Sequence, residues 1–251
     1  MLRTLLIIIL FATHAYAQVN TEKYRAREDF RGFTGYFELS GTFKTGNTEE
    51  TEADLDARLD WKLDVMDNFV IFQSESEWID GQRFTNELLV HMRNVIHLTP
   101  KLRTEIFVQT NFDKTVLINN RELFGAGLRY KVFDFDEAYI SLGTAYMFEH
   151  ENYDLPSNAI HPNDVKVFRW SNYVSSLIRL KNGIEISSVV YYQPIPDNFS
   201  DVRVLNESNL NVSLASFLSL TVNFKVRYDS EPPDGIKDTD TKTNLGFMVK
   251  I

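Results

Sequence analysis

Residues 218–228 alternate between apolar and polar side chains without interruption, and this alternation limits the possible folds more than any other feature. One face carries Leu218, Leu220, Val222, Phe224, Val226 and Tyr228. The other face carries Ser219, Thr221, Asn223, Lys225 and Arg227. Because successive side chains of a β-strand point to opposite faces, the segment predicts a strand with one apolar face and one hydrated, charged face.

The same alternation recurs in about twelve segments of roughly ten residues or more, the length that a membrane-spanning strand needs. All seven prolines lie between these segments or at their ends. Proline cannot donate a hydrogen bond to a neighbouring strand, so this placement supports the division. We predict an all-β chain with strands at 33–44, 53–63, 69–78, 86–98, 102–112, 123–132, 138–148, 165–180, 184–193, 204–214, 218–228 and 241–251.

The N-terminus has the features of an export signal. Arg3 supplies a basic start, residues 5–12 form an apolar run, and the Ala-Tyr-Ala triplet at 15–17 fits the small-residue cleavage rule. Cleavage is expected between Ala17 and Gln18. A membrane anchor is the alternative, but the run is well short of the ~20 residues of a spanning helix. The predicted organisation is a signal peptide at 1–17, a short periplasmic segment at 18–31 and a barrel at 32–251.

The connections between the predicted strands alternate in length. Short turns are expected at 64–68, 99–101, 133–137, 181–183 and 215–217, long polar loops at 149–164, 194–201 and 229–240, and connections of intermediate length at 79–85 and 113–120. Short turns on one side and longer loops on the other are typical of bacterial outer-membrane barrels. We therefore predict a transmembrane antiparallel up-and-down β-barrel of about twelve strands, located in the outer membrane with both termini in the periplasm.

The polar faces of such a barrel would line a hydrated lumen with charges of both signs. The candidate lumen cations are Arg58, Arg93, Arg129, Arg169, Lys225 and Arg227. A soluble β-sandwich would instead show these charges to water and enclose the apolar face. The strand lengths, the loop asymmetry and the aromatic residues near both ends of the apolar face favour the lumen.

The composition excludes several classes of function. The chain contains no cysteine, which excludes disulfides, thiol catalysis and thiolate metal sites. Its formal net charge of -9 argues against a nucleic-acid partner. The 149–164 loop carries His150 and His161 among carboxylates, a set that can bind a divalent cation or simply form a solvated acidic loop. Its spacing matches no metal motif, so we assign no catalytic, cofactor-binding or metal-binding residues.

Three short motifs resemble a known family, the salt-induced outer-membrane proteins, a domain family of unknown function. The motifs are the last hairpin with Asp229, Pro232, Pro233 and Gly235, the first hairpin with Gly46 and Asn47, and the glycine-rich middle strand at 125–130. The resemblance covers residues 32–251 and implies a Gram-negative outer-membrane barrel without an agreed activity. The same turn residues are also explained by tight-turn formation alone.

Three functions remain open at this point. A non-catalytic barrel with a structural or envelope-stress role is favoured over a narrow porin-like diffusion channel. A barrel lipid hydrolase is least favoured, because no serine partner can be identified for His91 or His97. The expected surroundings are outer-membrane lipid and lipopolysaccharide, with the barrel-assembly machinery as a partner during biogenesis. We expect no cofactor and no nucleic acid, and we favour a monomer.

Overall fold

The computed structural model describes residues 20–23, 30–44, 49–135 and 137–250, without the side chains of 42–44 and 83–86. Across these residues each strand pairs antiparallel with the next, and β1 pairs with β12 to close a barrel. The predicted up-and-down barrel of twelve strands is confirmed. The strands are β1 (Gly32–Lys44), β2 (Glu50–Lys62), β3 (Met66–Ile79), β4 (Gln82–His97), β5 (Leu102–Asp113), β6 (Ile118–Asp134), β7 (Ala138–Tyr153), β8 (Asp164–Leu180), β9 (Ile184–Ile195), β10 (Asn198–Ser213), β11 (Leu218–Asp229) and β12 (Thr239–Lys250).

The barrel has the polarity of a transmembrane barrel, with apolar side chains outside and charged side chains inside. Leu245, Leu39 and Phe124 on the outer face are 64%, 56% and 55% exposed. Arg93, Glu105 and Glu149 on the inner face are 2%, 1% and 0% exposed. A water-soluble barrel would have the opposite arrangement, because burying apolar surface is what stabilises it. In the part of the chain that the structure describes, no helix is long and apolar enough to cross a membrane.

Several strands continue beyond the lengths that the alternation predicts. β7 extends to Tyr153 and β6 begins at Ile118, and the longest strands have 17 residues. Since about 9–11 tilted residues cross the hydrocarbon, these strands extend outside it. Their polar ends carry Glu149 and Glu151, which the pattern assigned to a loop.

Two connections, one predicted as intermediate and one as long, are much shorter in the structure. The predicted 79–85 connection is a two-residue hairpin at Asp80 and Gly81, whose φ angles of 49° and 74° are those that a tight type I′ turn requires. The predicted 194–201 connection is likewise reduced to residues 196–197, since β9 ends at Ile195 and β10 begins at Asn198. The loop asymmetry therefore depends mainly on 154–163 and 230–238.

Part of the inner wall is apolar, which the sequence pattern did not reveal. Phe107 and Tyr173 lie inside the barrel among other apolar side chains of β6, β7, β9 and β10. The glycine-rich strands make room for them. A Cβ at Gly125 would lie 2.3 Å from the Phe107 ring, and one at Gly143 would lie 2.0 Å from the Tyr173 ring.

Candidate functional site in the barrel lumen

The lumen beside β6–β11 is filled by an ion-pair network, here called the arginine–glutamate network. Its members are Arg121, Glu149, Glu151, Arg169, Asp201, Arg203, Arg227 and Asp229. At its centre Glu149, which is fully buried, accepts from Arg121 Nε at 3.0 Å and from Arg169 Nε at 2.9 Å, and it also pairs with Arg203. Hydrogen-bonded, charge-balanced pairs of this kind are the form in which buried charge is tolerated.

Arg203 joins the rest of this network. Its Nη1 and Nη2 lie 2.8 Å and 3.0 Å from the two carboxylate oxygens of Glu151, a bidentate arrangement. Its Nε donates to Asp229 Oδ2 at 2.8 Å, which Arg227 Nη2 also approaches at 3.2 Å. Arg169 reaches Asp201 at 2.8 Å. Four arginines and four carboxylates from β6, β7, β8, β10 and β11 thus close this half of the lumen.

Glu105 on β5 is a second centre, deeper in the barrel. It accepts from Arg93 Nη1 at 3.1 Å, from Arg129 Nη1 at 3.4 Å and from the Tyr173 hydroxyl at 2.5 Å. Arg129 Nε also donates to Ser141 Oγ at 2.9 Å. These bonds fix the side chains in the middle of the lumen.

Aromatic rings support the arginines of this layer. His91 lies between the Phe69 and Phe107 rings, with centroid separations of 6.2 Å and 5.8 Å. Arg58 covers the Phe69 ring at 4.3 Å, and Arg93 covers the Phe107 ring at 4.7 Å. Both distances are within the range of a cation–π contact.

Residues Asn20–Lys23 lie inside the barrel, although sequence reasoning placed 18–31 in the periplasm. All four residues are at most 6% exposed. Arg58 Nη1 donates to the Thr21 carbonyl oxygen at 2.7 Å, and the backbone N–H of Asn20 donates to Glu207 Oε2 at 2.9 Å. These four residues, here called the lumenal segment, therefore fill space between opposite walls.

The wall formed by β2–β4, with β11 and β12 beside it, differs because a cavity that is partly open to solvent lies against it. Its charged lining residues are Asp54, Asp56, Glu75, Glu87, Lys225 and Lys242. The Lys242 ammonium lies 2.6 Å from Glu52 Oε1 and 3.4 Å from Asp54 Oδ1, and it also pairs with Glu75. Glu52, Asp54 and Glu75 are close enough to bind a metal ion together, but Lys242 lies among them.

Glu87 is the least compensated charge of this wall. It is 2% exposed, and neither of its carboxylate oxygens has a hydrogen-bond partner among the residues that the structure describes. The strand register places it directly between Glu75 and Asp113. Acidic side chains are therefore in excess here, whereas they are balanced in the arginine–glutamate network.

The two long loops contact each other at one end of the barrel. Asp234 Oδ2 accepts from the backbone N–H groups of Ile160 and His161 at 2.9 Å and 2.7 Å. His150 instead pairs with Asp164, with Nε2 and Oδ2 2.9 Å apart. His150 thus lies on β7 rather than in the predicted loop, and only His161 belongs to the contact between the two loops.

Comparison with known proteins identifies the family. A family model described as "Protein of unknown function, DUF481" matches residues 37–251. The chain belongs to the DUF481 family. A search of curated proteins gives no match.

Solved structures similar to this DUF481 protein are outer-membrane barrels. The translocator domain of autotransporter NalP from Neisseria meningitidis has a TM-score of 0.50 and 8% identity, covering 89% of this chain and 90% of that one. The NanC porin has a TM-score of 0.49 and 9% identity, covering 86% and 98%. The KdgM porin has a TM-score of 0.45 and 10% identity, covering 87% and 99%. At these identities the likeness concerns the fold alone.

In the DUF481 barrel all six candidate lumen cations lie on the inner face, at Arg58, Arg93, Arg129, Arg169, Lys225 and Arg227. Of the family-like turn residues, Asp229 ends β11 and belongs to the arginine–glutamate network. Pro232, Pro233 and Gly235 lie in the 230–238 loop, where Gly235 has a φ of 85°. Ala17, Gln18, Gly46 and Asn47 lie outside the described residues.

Sequence reasoning missed Arg121, Glu149, Glu151 and Arg203 as parts of this site. Each lies just past the end of a predicted strand, at a position that continues the inward-facing alternation. Extending the strands by two or three residues would have found them. The lumenal segment carries no comparable signal, because it is held by contacts distant in sequence.

Proposed function

We propose that this DUF481 protein is an integral, non-catalytic outer-membrane barrel whose lumen is closed by its own side chains. The observation that carries the proposal is the inverted polarity of a closed barrel, apolar outside and charged inside. Only a lipid environment makes such an exterior favourable. The family-like hairpins support the narrower description as a salt-induced outer-membrane protein with a role in envelope structure or stress.

The closed lumen favours a structural role over a constitutively open pore. The arginine–glutamate network fills the side beside β6–β11, and the lumenal segment occupies the middle. The cavity beside β2–β4 favours a second function, a narrow channel that opens only when the groups obstructing the lumen are displaced. Outer-membrane lipid and lipopolysaccharide would surround the barrel, and the assembly machinery would insert it as a monomer.

The histidines support the absence of hydrolase chemistry. His91 is held by Gln109 Oε1 at 3.1 Å from its Nδ1, and by Arg93 Nε at 3.3 Å from its Nε2. Both ring nitrogens thus have partners that are not nucleophiles. His97 lies beside Asp67, with its Nε2 3.2 Å from Oδ2.

A pair of neighbouring substitutions on β12 tests the membrane proposal. Leu245 lies midway along the strand on the outer face, whereas Asn244 faces the lumen beside Asp54. Leu245→Arg would place a guanidinium in hydrocarbon, which costs about 2–4 kcal/mol at the midplane. Asn244→Arg adds the same group to a charged interior and should cost much less.

The measurement is refolding of each full-length variant into lipid vesicles, scored by urea titration. We expect Leu245→Arg to refold poorly and Asn244→Arg to refold like the wild type. Equal refolding of both variants, or cooperative folding of the wild type in lipid-free buffer, would contradict the membrane proposal.

A further inference from the structure

The lumenal segment is compact and is attached to the barrel by polar contacts, among them a buried ion pair between Glu22 and Arg129. Asn20 Oδ1 accepts from the backbone N–H groups of Glu22 and Lys23 at 2.9 Å and 3.0 Å, so the four residues form a turn of their own. The Lys23 ammonium lies 2.8 Å from Glu38 Oε2 and also pairs with Asp56. Arg58 donates to the carbonyl oxygens of Thr21 and Lys23 at 2.7 Å and 3.2 Å. Polar contacts of this kind can exchange for water when the segment leaves.

The segment also forms part of the wall of a second cavity. Asn20 and Lys23 line this space together with Asp56, Arg58, Gln73 and Glu207. Asp56 and Gln73 also line the larger cavity. The two spaces therefore share these side chains, and we expect removal of Asn20 and Lys23 to join and enlarge them.

The enlarged space avoids the arginine–glutamate network. The larger cavity lies against β2–β4, β11 and β12, whereas the network belongs mainly to β6, β7, β8 and β10. A path through the two joined cavities would leave the pairs around Glu149 intact. Opening the barrel by moving the lumenal segment therefore requires a smaller rearrangement than opening it by breaking the ion pairs around Glu149.

The charges lining this path favour cations. Without the lumenal segment the two cavities retain the acidic side chains Asp54, Asp56, Glu75, Glu87 and Glu207, against the basic side chains Arg58, Lys225 and Lys242. Withdrawal of the segment removes one carboxylate, Glu22 from Arg129, and one ammonium, Lys23 from Glu38 and Asp56, so the acidic excess of the lining is unchanged. An excess of carboxylates along a narrow water-filled path selects cations.

We propose that residues Asn20–Lys23 are a displaceable plug, and that their withdrawal opens a cation-selective path beside β2–β4. This inference rests on the proposed function, because it requires a membrane barrel that is closed at rest. The plug is held by the Lys23 pairs with Glu38 and Asp56, by the Glu22 pair with Arg129, and by the Arg58 contacts to its carbonyl oxygens.

The test is single-channel recording of full-length protein in planar bilayers. Lys23→Glu places a carboxylate beside Glu38 and Asp56, so the plug should be expelled and the open probability should rise at least about tenfold over the wild type. Lys23→Gln removes the attraction without adding repulsion and should give an intermediate rise. Lys181→Glu makes the same charge change in an exposed turn and should leave the channel silent. In a potassium chloride gradient the reversal potential of Lys23→Glu should have the sign of cation permeation.

A second measurement follows the plug itself. Because the chain has no cysteine, Thr21→Cys is a unique label site, and Thr21 is 1% exposed. A membrane-impermeant thiol reagent should react slowly with Thr21→Cys and at least about tenfold faster when Lys23→Glu is added. Equal labelling rates, a Lys23→Glu channel as silent as the wild type, or anion selectivity would each overturn the inference. Steady conductance of the wild type would instead contradict the closed lumen, and the Lys23 comparison would still report on the plug.

Discussion

The two sides of the lumen accommodate buried charge in different ways. Beside β6–β11, Glu149 has hydrogen bonds or ion pairs from three arginines. Beside β2–β4, Glu87 is equally buried but lies between two other carboxylates with no hydrogen-bond partner among the described residues. Paired charges hold each other's side chains in fixed positions. Unpaired buried carboxylates are stabilised only when a mobile cation or water approaches them. Lys23 of the plug pairs with carboxylates on this acidic side, Glu38 and Asp56.

This difference predicts that a glutamate-to-glutamine substitution changes the free energy of unfolding in opposite directions on the two sides. Of our predictions, we expect this comparison to give the largest effect. Glu149→Gln leaves Arg121, Arg169 and Arg203 with one carboxylate fewer and should lower the free energy of unfolding by about 3 kcal/mol. Glu87→Gln relieves repulsion from Glu75 and Asp113, so it should be neutral or stabilising. Urea titration of both variants in vesicles measures the comparison. Equal destabilisation by the two substitutions would remove the distinction between the sides.

Replacing glycines on each side by alanine tests how tightly the two sides are packed. We expect these substitutions to lower the free energy of unfolding by an intermediate amount. Gly143→Ala would drive a methyl group into the Tyr173 ring, at 2.0 Å, and should cost about 1–3 kcal/mol. Gly246→Ala, beside Ser40 of the cavity lining, would meet Ser40 Cβ at 2.8 Å and the Leu39 carbonyl oxygen at 2.9 Å, and it should cost less because these approaches are longer than the 2.0 Å at Gly143. The same vesicle titration measures both. A larger loss for Gly246→Ala would show that the cavity side is the more tightly packed one.

The 154–163 and 230–238 loops join the two sides at one end of the barrel. For a substitution in these loops we expect the smallest change in the free energy of unfolding. The 154–163 loop follows β7 on the packed side, and Asp234 belongs to the loop between β11 and β12. Asp234→Ala removes the acceptor of the Ile160 and His161 N–H groups and should cost about 1 kcal/mol or less, since the site is exposed. Hydrogen exchange at these two amides should accelerate, while exchange at β-strand amides should not change. Protection that persists in the variant would show that Asp234 does not hold the loops together.

The sequence predicted the strands well where they cross lipid, and poorly beyond it. Within the bilayer one face must be apolar, so alternation reveals a strand such as β11. Past the bilayer the outer face meets water and carries His150 and Asn152, while the inner face carries Glu149 and Glu151, so the segment is polar throughout and resembles a loop. The predicted lumen cations followed from alternation as well. Their partners, and the position of the plug, depend on contacts between distant strands that no local pattern encodes.

Single-channel recording of the full-length wild-type protein tests the central claim most directly. Protein refolded in vesicles and fused with a planar bilayer should insert, as judged by protease protection of the recovered barrel, and should show no steady conductance. The physical reason is that the arginine–glutamate network and the lumenal segment are expected to leave no continuous path past the cavities of the lumen. A stable, ohmic conductance from correctly inserted wild type at low voltage would contradict the closed lumen.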